Sequence, residues 1–251
     1  MAHSPTPHRP GLGRRQVLRG LGWLAAAGAL SPQRLEAASL PLEQRLGVCR
    51  PPGDPLQELL RRNRQFAAVW AEAEASGDPL QRARLLQQAW PLHCAVRPDA
   101  LALGQRPWAA VLACADSRVS PEWIFASAPG ELFEVRTAGN TASDAGVASL
   151  EYAVAELAVP LIVVIGHSDC GAVAAAMAPR ALTPLLEELV LPIRAALPLA
   201  GSLVEAGAAH TREAALALPR RSPLLAAAQA AARLRIQPAY LEIGSGQVSL
   251  L

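Results

Sequence analysis

The 251-residue sequence contains no lysine, so all 23 of its basic side chains are arginines. We attribute this to codon bias and not to phosphate recognition. Five of these arginines and one glutamate fall in residues 1–38, which leaves 18 basic and 20 acidic side chains in residues 39–251, a net charge of −2. That part of the chain shows no basic patch, which argues against a nucleic-acid partner. No internal repeat is evident.

The apolar run near the N-terminus, Gly20–Leu30, is too short to span a bilayer, which takes about 20 residues. It follows a basic segment that contains the twin arginines Arg14 and Arg15. This pattern predicts an export signal of the twin-arginine type over residues 1–38. A disordered basic tail or an uncleaved anchor is the alternative, because Leu35 and Glu36 fit a small-residue cleavage site poorly.

Export places the mature protein in a periplasm or a thylakoid-like lumen, and limits its contact with a membrane to the export step. The remaining chain, with 51% hydrophobic residues in the full sequence, is long enough to bury one good-sized core. Prolines dominate residues 39–55, which we interpret as an arm or linker before a domain spanning residues 56–251.

Helices are predicted from Asp54-Pro55 through Phe66, with Pro55 in the first turn, and from Asp78 to Trp90. Residues 178–238 are rich in Ala and Leu and are predicted to be mostly helical. Five prolines are expected to break that region into short pieces: Pro184, Pro192, Pro198, Pro219 and Pro223.

Two short apolar runs are each followed by polar residues that can do chemistry. The run 108–113 leads into Cys114, and the run 160–165 leads into His167 and Cys170. Such runs are typical of buried strands, and about 50 residues between them leave room for a helical crossover. The alternation of strands and helices predicts an α/β domain with a parallel-centred β-sheet flanked by helices.

The carboxyl ends of neighbouring parallel strands meet at one sheet edge, where open α/β sheets bind their ligands. Cys114, His167 and Cys170 are therefore expected to converge, with Asp116 close by. Two thiolates and an imidazole suit zinc. Each of these residues taken alone could have a purely structural, buried role. That interpretation is less favoured because all three stand at strand ends.

Together these features resemble the β-class carbonic anhydrases. The resemblance runs from about residue 56 to the C-terminus. It is carried by the segments 60–66 (LRRNRQF), 104–107 (GQRP), 114–122 (CADSRVSPE), 129–140 (PGELFEVRTAGN), 149–154 (SLEYAV), 166–173 (GHSDCGAV), 222–225 (SPLL) and 240–248 (YLEIGSGQV).

The resemblance implies an enzyme, a zinc lyase with one Zn²⁺ per chain that reversibly hydrates CO2 to bicarbonate and a proton. Zinc hydroxide would attack CO2, and Asp116, paired with Arg118, would orient the hydroxide. Opening of that pair would let Asp116 become the fourth zinc ligand and close the site. Because Val111 stands where one branch of the family has a regulatory Trp, we expect the open form.

Further site residues follow from the same resemblance. Gln105 would donate a hydrogen bond to substrate oxygen, Phe133 and Tyr152 would form the pocket wall, and Gly171 would offer a backbone N–H. The family fold also implies an N-terminal helical arm that wraps a partner subunit, with Phe66 as a dimer residue.

The family's subunit boundary implies a homodimer or a tetramer of dimers in which Gln105 can act across that boundary. The stretch 208–212 departs from the family's usual Asn-Val pattern before the last helices, which leaves the oligomer's details open.

Metal binding by Cys114 and Cys170 leaves Cys49 and Cys94, whose pairing in a disulfide spacing alone does not decide. His93 beside Cys94 is read as a surface histidine. Two other functions stay open: hydrolysis of carbonyl sulfide or carbon disulfide on the same scaffold, and a non-catalytic zinc protein.

Overall fold

A computed structural model describes residues 53–88 and 101–251 of the chain. The predictions that concern the export signal, most of the Pro-rich arm, Trp90, His93 and the Cys49/Cys94 pair lie outside the described residues. The helices are α1 (Pro55–Ala75), α2 (Pro79–Gln88), α3 (Pro121–Ile124), α4 (Asp144–Ala155), α5 (Gly171–Met177), α6 (Pro184–Ala195), α7 (Leu203–Arg221) and α8 (Pro223–Ala230).

A five-stranded sheet is formed by β1 (Ala109–Cys114), β2 (Leu132–Thr137), β3 (Leu161–His167), β4 (Arg235–Glu242) and β5 (Gln247–Leu250). The strand order is β2-β1-β3-β4-β5. The first four strands are parallel, and β5 pairs antiparallel with β4. The predicted parallel-centred α/β architecture is therefore confirmed.

Side chains of β1 alternate between two apolar layers, as the pleat of a strand requires. Ala110 and Leu112 face the layer formed with α4, α7 and α8. Ala109, Val111 and Ala113 face the opposite layer, which α1 and α3 cover. All five are fully buried, so β1 is the centre of the core.

The long helix α7 lies close against β3. A Cβ atom added to Gly166 would stand 2.0 Å from the Thr211 hydroxyl, so the glycine is needed for this approach. A Ser202/Glu205 capping box begins α7. The close approach of α7 to Gly166 matters for the candidate site because Gly166 directly precedes His167.

The prediction that five prolines break the region 178–238 into short helices was wrong for two of them. Pro184 and Pro223 begin helices as first-turn residues, but Pro192 and Pro219 lie inside α6 and α7 and do not break them. Burial of Val190 and Ile193 on α6 and of Leu218 on α7 offsets the backbone hydrogen bond that each proline removes. The prediction of helix up to residue 238 was also wrong at its end, because β4 begins at Arg235.

The start of α1 agrees with the sequence: Asp54 accepts a hydrogen bond from the Gln57 N–H, and Pro55 occupies the first turn. Phe66 is 3% exposed and its ring packs against Trp70 and Trp123 of the same chain. Its side chain is thus buried within its own subunit, which contradicts the expected dimer contact.

A buried ion pair fastens α1 to the sheet. Arg62 donates to both carboxylate oxygens of Glu131 at 2.9 and 3.1 Å, and also to Glu58. Glu131 accepts further hydrogen bonds from the Ala128 N–H and the Trp108 indole.

Among the described residues, no helix has the length and apolar character needed to cross a membrane.

Replacing Glu131 with Gln is expected to lower the free energy of unfolding by ~3 kcal/mol, because an amide leaves the buried Arg62 guanidinium only partly compensated. Denaturant titration at one fixed protein concentration measures the change. Glu72→Gln, the same substitution on the exposed side of α1, is the control and should change stability by less than about 0.5 kcal/mol. Equal stability of the two variants would contradict this role of the pair.

Candidate metal centre

The two predicted ligand turns lie side by side at the carboxyl edge of the sheet. Cys114 is the last residue of β1 and His167 the last residue of β3, and the two strands are neighbours with Ala113 opposite Ile165. Cys170 follows in the turn that leads into α5. The Sγ atoms of Cys114 and Cys170 and a ring nitrogen of His167 all lie within 4.8 Å of one another.

His167 has one ring nitrogen ready for a metal. Its Nδ1 lies 2.9 Å from the Ser168 carbonyl oxygen, and since a carbonyl can only accept, Nδ1 carries the hydrogen. Nε2 is then the bare nitrogen, and it is buried without a hydrogen-bond partner within the described part of the chain. Ser168 is itself held by Glu242 and the Ile243 N–H.

Both thiols are buried, and their Sγ atoms are 4.0 Å apart. The pKa of Cys114 is lowered, first by the hydrogen bond from Cys170 and then by His167 and the N–H groups of Asp116 and Gly139. The pKa of Cys170 is raised by the neighbouring Cys114 thiolate and by burial. The two neighbouring sulfurs therefore favour the thiolate at Cys114 over the thiolate at Cys170.

This donor set fits zinc. Two sulfur ligands of a tetrahedral zinc, each about 2.3 Å from the ion, stand ~3.8 Å apart, close to the observed separation. The unpartnered Nε2 of His167 supplies a third ligand with its hydrogen already on the other nitrogen, an arrangement usual for metal-binding histidines. Among residues 53–88 and 101–251, no other group of three His, Cys, Asp or Glu side chains is close enough to hold an ion.

Asp116 is directed to Arg118 and stands outside the three-ligand group. The Arg118 guanidinium donates to both Asp116 carboxylate oxygens, at 2.9 and 2.8 Å. This fork lowers the pKa of Asp116 to about 2, so the carboxylate is ionised across the working pH range. Arg118 also donates to the Asp169 carbonyl and so ties the two ligand turns together.

Arg136 was missed from the sequence as a residue of this centre. It stands on β2, beside the end of β1, and donates to the carbonyl oxygens of Cys114 at 3.1 Å and Asp116 at 2.8 Å. Its position near the end of β2, one strand away from a ligand turn, was the available signal. It holds the backbone of the first ligand turn in place.

The substrate residues expected from the sequence divide into two groups. Gly171 begins α5 next to Cys170, and a Cβ atom there would meet open space. Phe133, by contrast, pairs with Ala110 while Thr137 pairs with Cys114, so it lies four positions, about 13 Å, back along the sheet.

The rings of Phe133 and Tyr152 are 6.1 Å apart, and about half of Tyr152 is exposed. Gln105 is exposed and precedes the amino end of β1. Gln105 and Phe133 therefore stand toward the amino edge of the same sheet, away from the Cys114 end of β1.

Comparison with known proteins agrees with this geometry. The family model described as carbonic anhydrase matches residues 109–248. Carbonic anhydrase 2 of Mycobacterium tuberculosis is 56% identical over 78 residues, which cover 31% of this chain and 38% of that protein. The carbonic anhydrase of Mycolicibacterium smegmatis is 37% identical over 163 residues, 61% of this chain and 79% of that protein.

Among solved structures, a tetrameric β-carbonic anhydrase from Sordaria macrospora superposes with a TM-score of 0.56 at 27% identity, over 60% of this chain and 83% of that one. The family model covers more than half of the chain and includes both ligand turns. This chain belongs to the β-class carbonic anhydrase family.

Proposed function

We propose that the protein catalyses the reversible hydration of CO2 to bicarbonate at a zinc ion held by Cys114, His167 and Cys170. The observation that carries the proposal is the ligand count: these three side chains leave one position of a tetrahedral zinc open. An open position is typical of catalytic zinc, whereas structural zinc is closed by a fourth protein ligand. The match to proteins named carbonic anhydrase supports CO2 as the substrate.

Zinc, when bound, supplies the Lewis acidity that turns water into a nucleophile near neutral pH. The residues of the chain supply orientation. Asp116 is ionised and fixed by Arg118, so its carboxylate can accept a hydrogen bond from a group on the open side of the centre and hold that group in one direction.

Gly171 supplies room and a donor. As the first residue of α5, its N–H has no carbonyl partner within the helix, and the space beside it is open. A substrate oxygen can accept a hydrogen bond there. Arg118 keeps Asp116 occupied, which leaves the open position to water and substrate.

Stopped-flow measurement of CO2 hydration tests this function. We expect turnover that is lost when a chelator removes zinc and restored when zinc is returned. Asp116→Asn should lose about 10- to 100-fold in activity with an unchanged zinc content, because the variant keeps all three ligands but loses the charged acceptor.

Asp144→Asn, a change at an exposed aspartate of α4, is the matched control and should behave like the wild type. Absence of turnover from pH 7 to 9 with one zinc per chain would overturn the proposal. Turnover of carbonyl sulfide or carbon disulfide in its place would identify a hydrolase on the same scaffold.

We further propose that the protein is a homo-oligomer, a dimer or a tetramer of dimers, in which a second copy completes each site. Gln105 and Phe133 stand toward the opposite edge of the sheet from Cys114. Within one chain they therefore lie away from the zinc ligands. The Sordaria macrospora relative is tetrameric, which supports an assembly. A two-fold axis would place the Gln105 edge of one subunit against the Cys114 edge of the other.

Mixed oligomers test this arrangement. Chains with Gln105→Ala and chains with Cys114→Ser, each nearly inactive alone, are co-expressed with different tags and the mixed species is purified. Each mixed pair holds one intact site, so about half of the wild-type activity should return. Mixtures of Cys114→Ser with His167→Gln, whose defects lie in the same half of the site, should stay inactive; so would the first mixture if each chain formed its own site.

We also propose that residues 1–38 direct export by the twin-arginine route. The support is the sequence itself, with Arg14-Arg15 before a short apolar run. In a bacterial host with that pathway, the full chain should appear in the periplasmic fraction, and the Arg14→Lys/Arg15→Lys variant should stay in the cytoplasm. Cytoplasmic retention of the unaltered chain would contradict this proposal.

A further inference from the structure

His210 of α7 is a buried histidine outside the metal centre that makes a single hydrogen bond to the described part of the chain. It is 2% exposed, and its Nε2 lies 2.7 Å from the carbonyl oxygen of Gly139. Because a carbonyl only accepts, Nε2 carries the hydrogen and donates. The other ring nitrogen, Nδ1, has no partner among the described residues.

Gly139 in turn contacts a zinc ligand. It lies at the centre of the 3₁₀ turn Ala138–Asn140, and its N–H donates to the Sγ of Cys114 at 3.2 Å. The only other hydrogen bond to that sulfur from a backbone N–H in the described chain is the longer one from Asp116, at 3.4 Å. The direction of the Gly139 N–H therefore depends on the conformation of this turn.

The turn has an unusual backbone that needs external support. Gly139 and Asn140 both have positive φ angles, +67° and +46°, in the left-handed region that costs energy for a residue such as Asn. A Cβ atom on Gly139 would stand 2.8 Å from Ile193 of α6 and 3.0 Å from Ala172 of α5. The turn is thus closely packed between α5 and α6, and His210 is the side chain that donates a hydrogen bond to its carbonyl.

Burial of His210 keeps its hydrogen bond to the Gly139 carbonyl constant. Desolvation lowers the pKa of His210, opposed by the Gly139 hydrogen bond and by the charges of Glu213 and Cys114. The neutral ring with its hydrogen on Nε2 is the form that the carbonyl acceptor selects.

We propose that His210 is a positioning residue of the zinc centre: by holding the Gly139 carbonyl, it keeps the Gly139 N–H directed at the Cys114 sulfur. Within the described part of the chain it makes no hydrogen bond to the metal ligands, and it acts through the turn. A hydrogen bond to a ligating thiolate withdraws charge from the sulfur and fixes its orientation, and such outer contacts tune both affinity and reactivity of a metal site. The inference rests on the proposed function only in taking Cys114 as a zinc ligand.

The test compares His210→Leu, which removes the donor, with His210→Gln, whose amide nitrogen can reach the same carbonyl. Zinc release into a chromophoric chelator should be about 10-fold faster in His210→Leu and within about threefold of the wild type in His210→Gln. In cobalt-substituted protein, the sulfur-to-metal charge-transfer band should shift to longer wavelength in His210→Leu only.

Leu218→Val is the packing control, because Leu218 is a fully buried residue of the same helix α7 and packs in the apolar layer with α4 and α8, away from the metal centre. It should leave zinc release and the cobalt band unchanged. If His210→Leu does not fold, His210→Asn replaces it. The Asn side chain is one bond shorter than that of Gln, so its amide cannot reach the Gly139 carbonyl oxygen that lies 2.7 Å from the His210 Nε2.

Equal zinc release and equal cobalt spectra in His210→Leu and the wild type would overturn the positioning role. So would an equal change in Leu218→Val, which would assign the effect to the packing of α7. These readouts do not depend on CO2 turnover: a zinc-loaded wild type without hydration activity would reject the proposed function alone.

Discussion

The parallel pairing of β1 with β3 is the constraint on which the metal centre depends. The register that places Ala113 opposite Ile165 brings Cys114, the next residue of β1, and His167, two residues further along β3, to the same edge of the sheet. A slip of one residue between the two strands would turn the ligand of the shifted strand to the opposite face, because strand side chains alternate. Two fully apolar layers hold that register, so the stability of the core and the geometry of the site are set together.

The chain around the two buried thiols and the imidazole is arranged to limit their movement. Arg136 holds the backbone of the first ligand turn, and Arg118 bridges from Asp116 to the carbonyl of the second. Ser168 fixes the His167 ring through its carbonyl. These contacts are made by the polypeptide alone, so the centre is pre-organised and little ordering is left to the ion.

The strands, the zinc ligands and the Asp116/Arg118 pair could be predicted from the sequence because each depends on local pattern: apolar runs, strand ends and short spacing. The sequence could not show that Pro192 stays inside a helix, since tertiary burial decides that. It also could not show His210 against Gly139, residues 71 positions apart, because long-range contacts leave no periodic signal.

X-ray absorption at the zinc edge of the purified protein tests the central claim most directly. The account predicts one zinc per chain with two sulfur ligands at about 2.3 Å and two nitrogen or oxygen ligands at about 2.0–2.1 Å. Conversion of Cys170 to Ser should reduce the sulfur count to one. A spectrum with three or four sulfurs, or with nitrogen and oxygen ligands only, would contradict the centre formed by Cys114, His167 and Cys170.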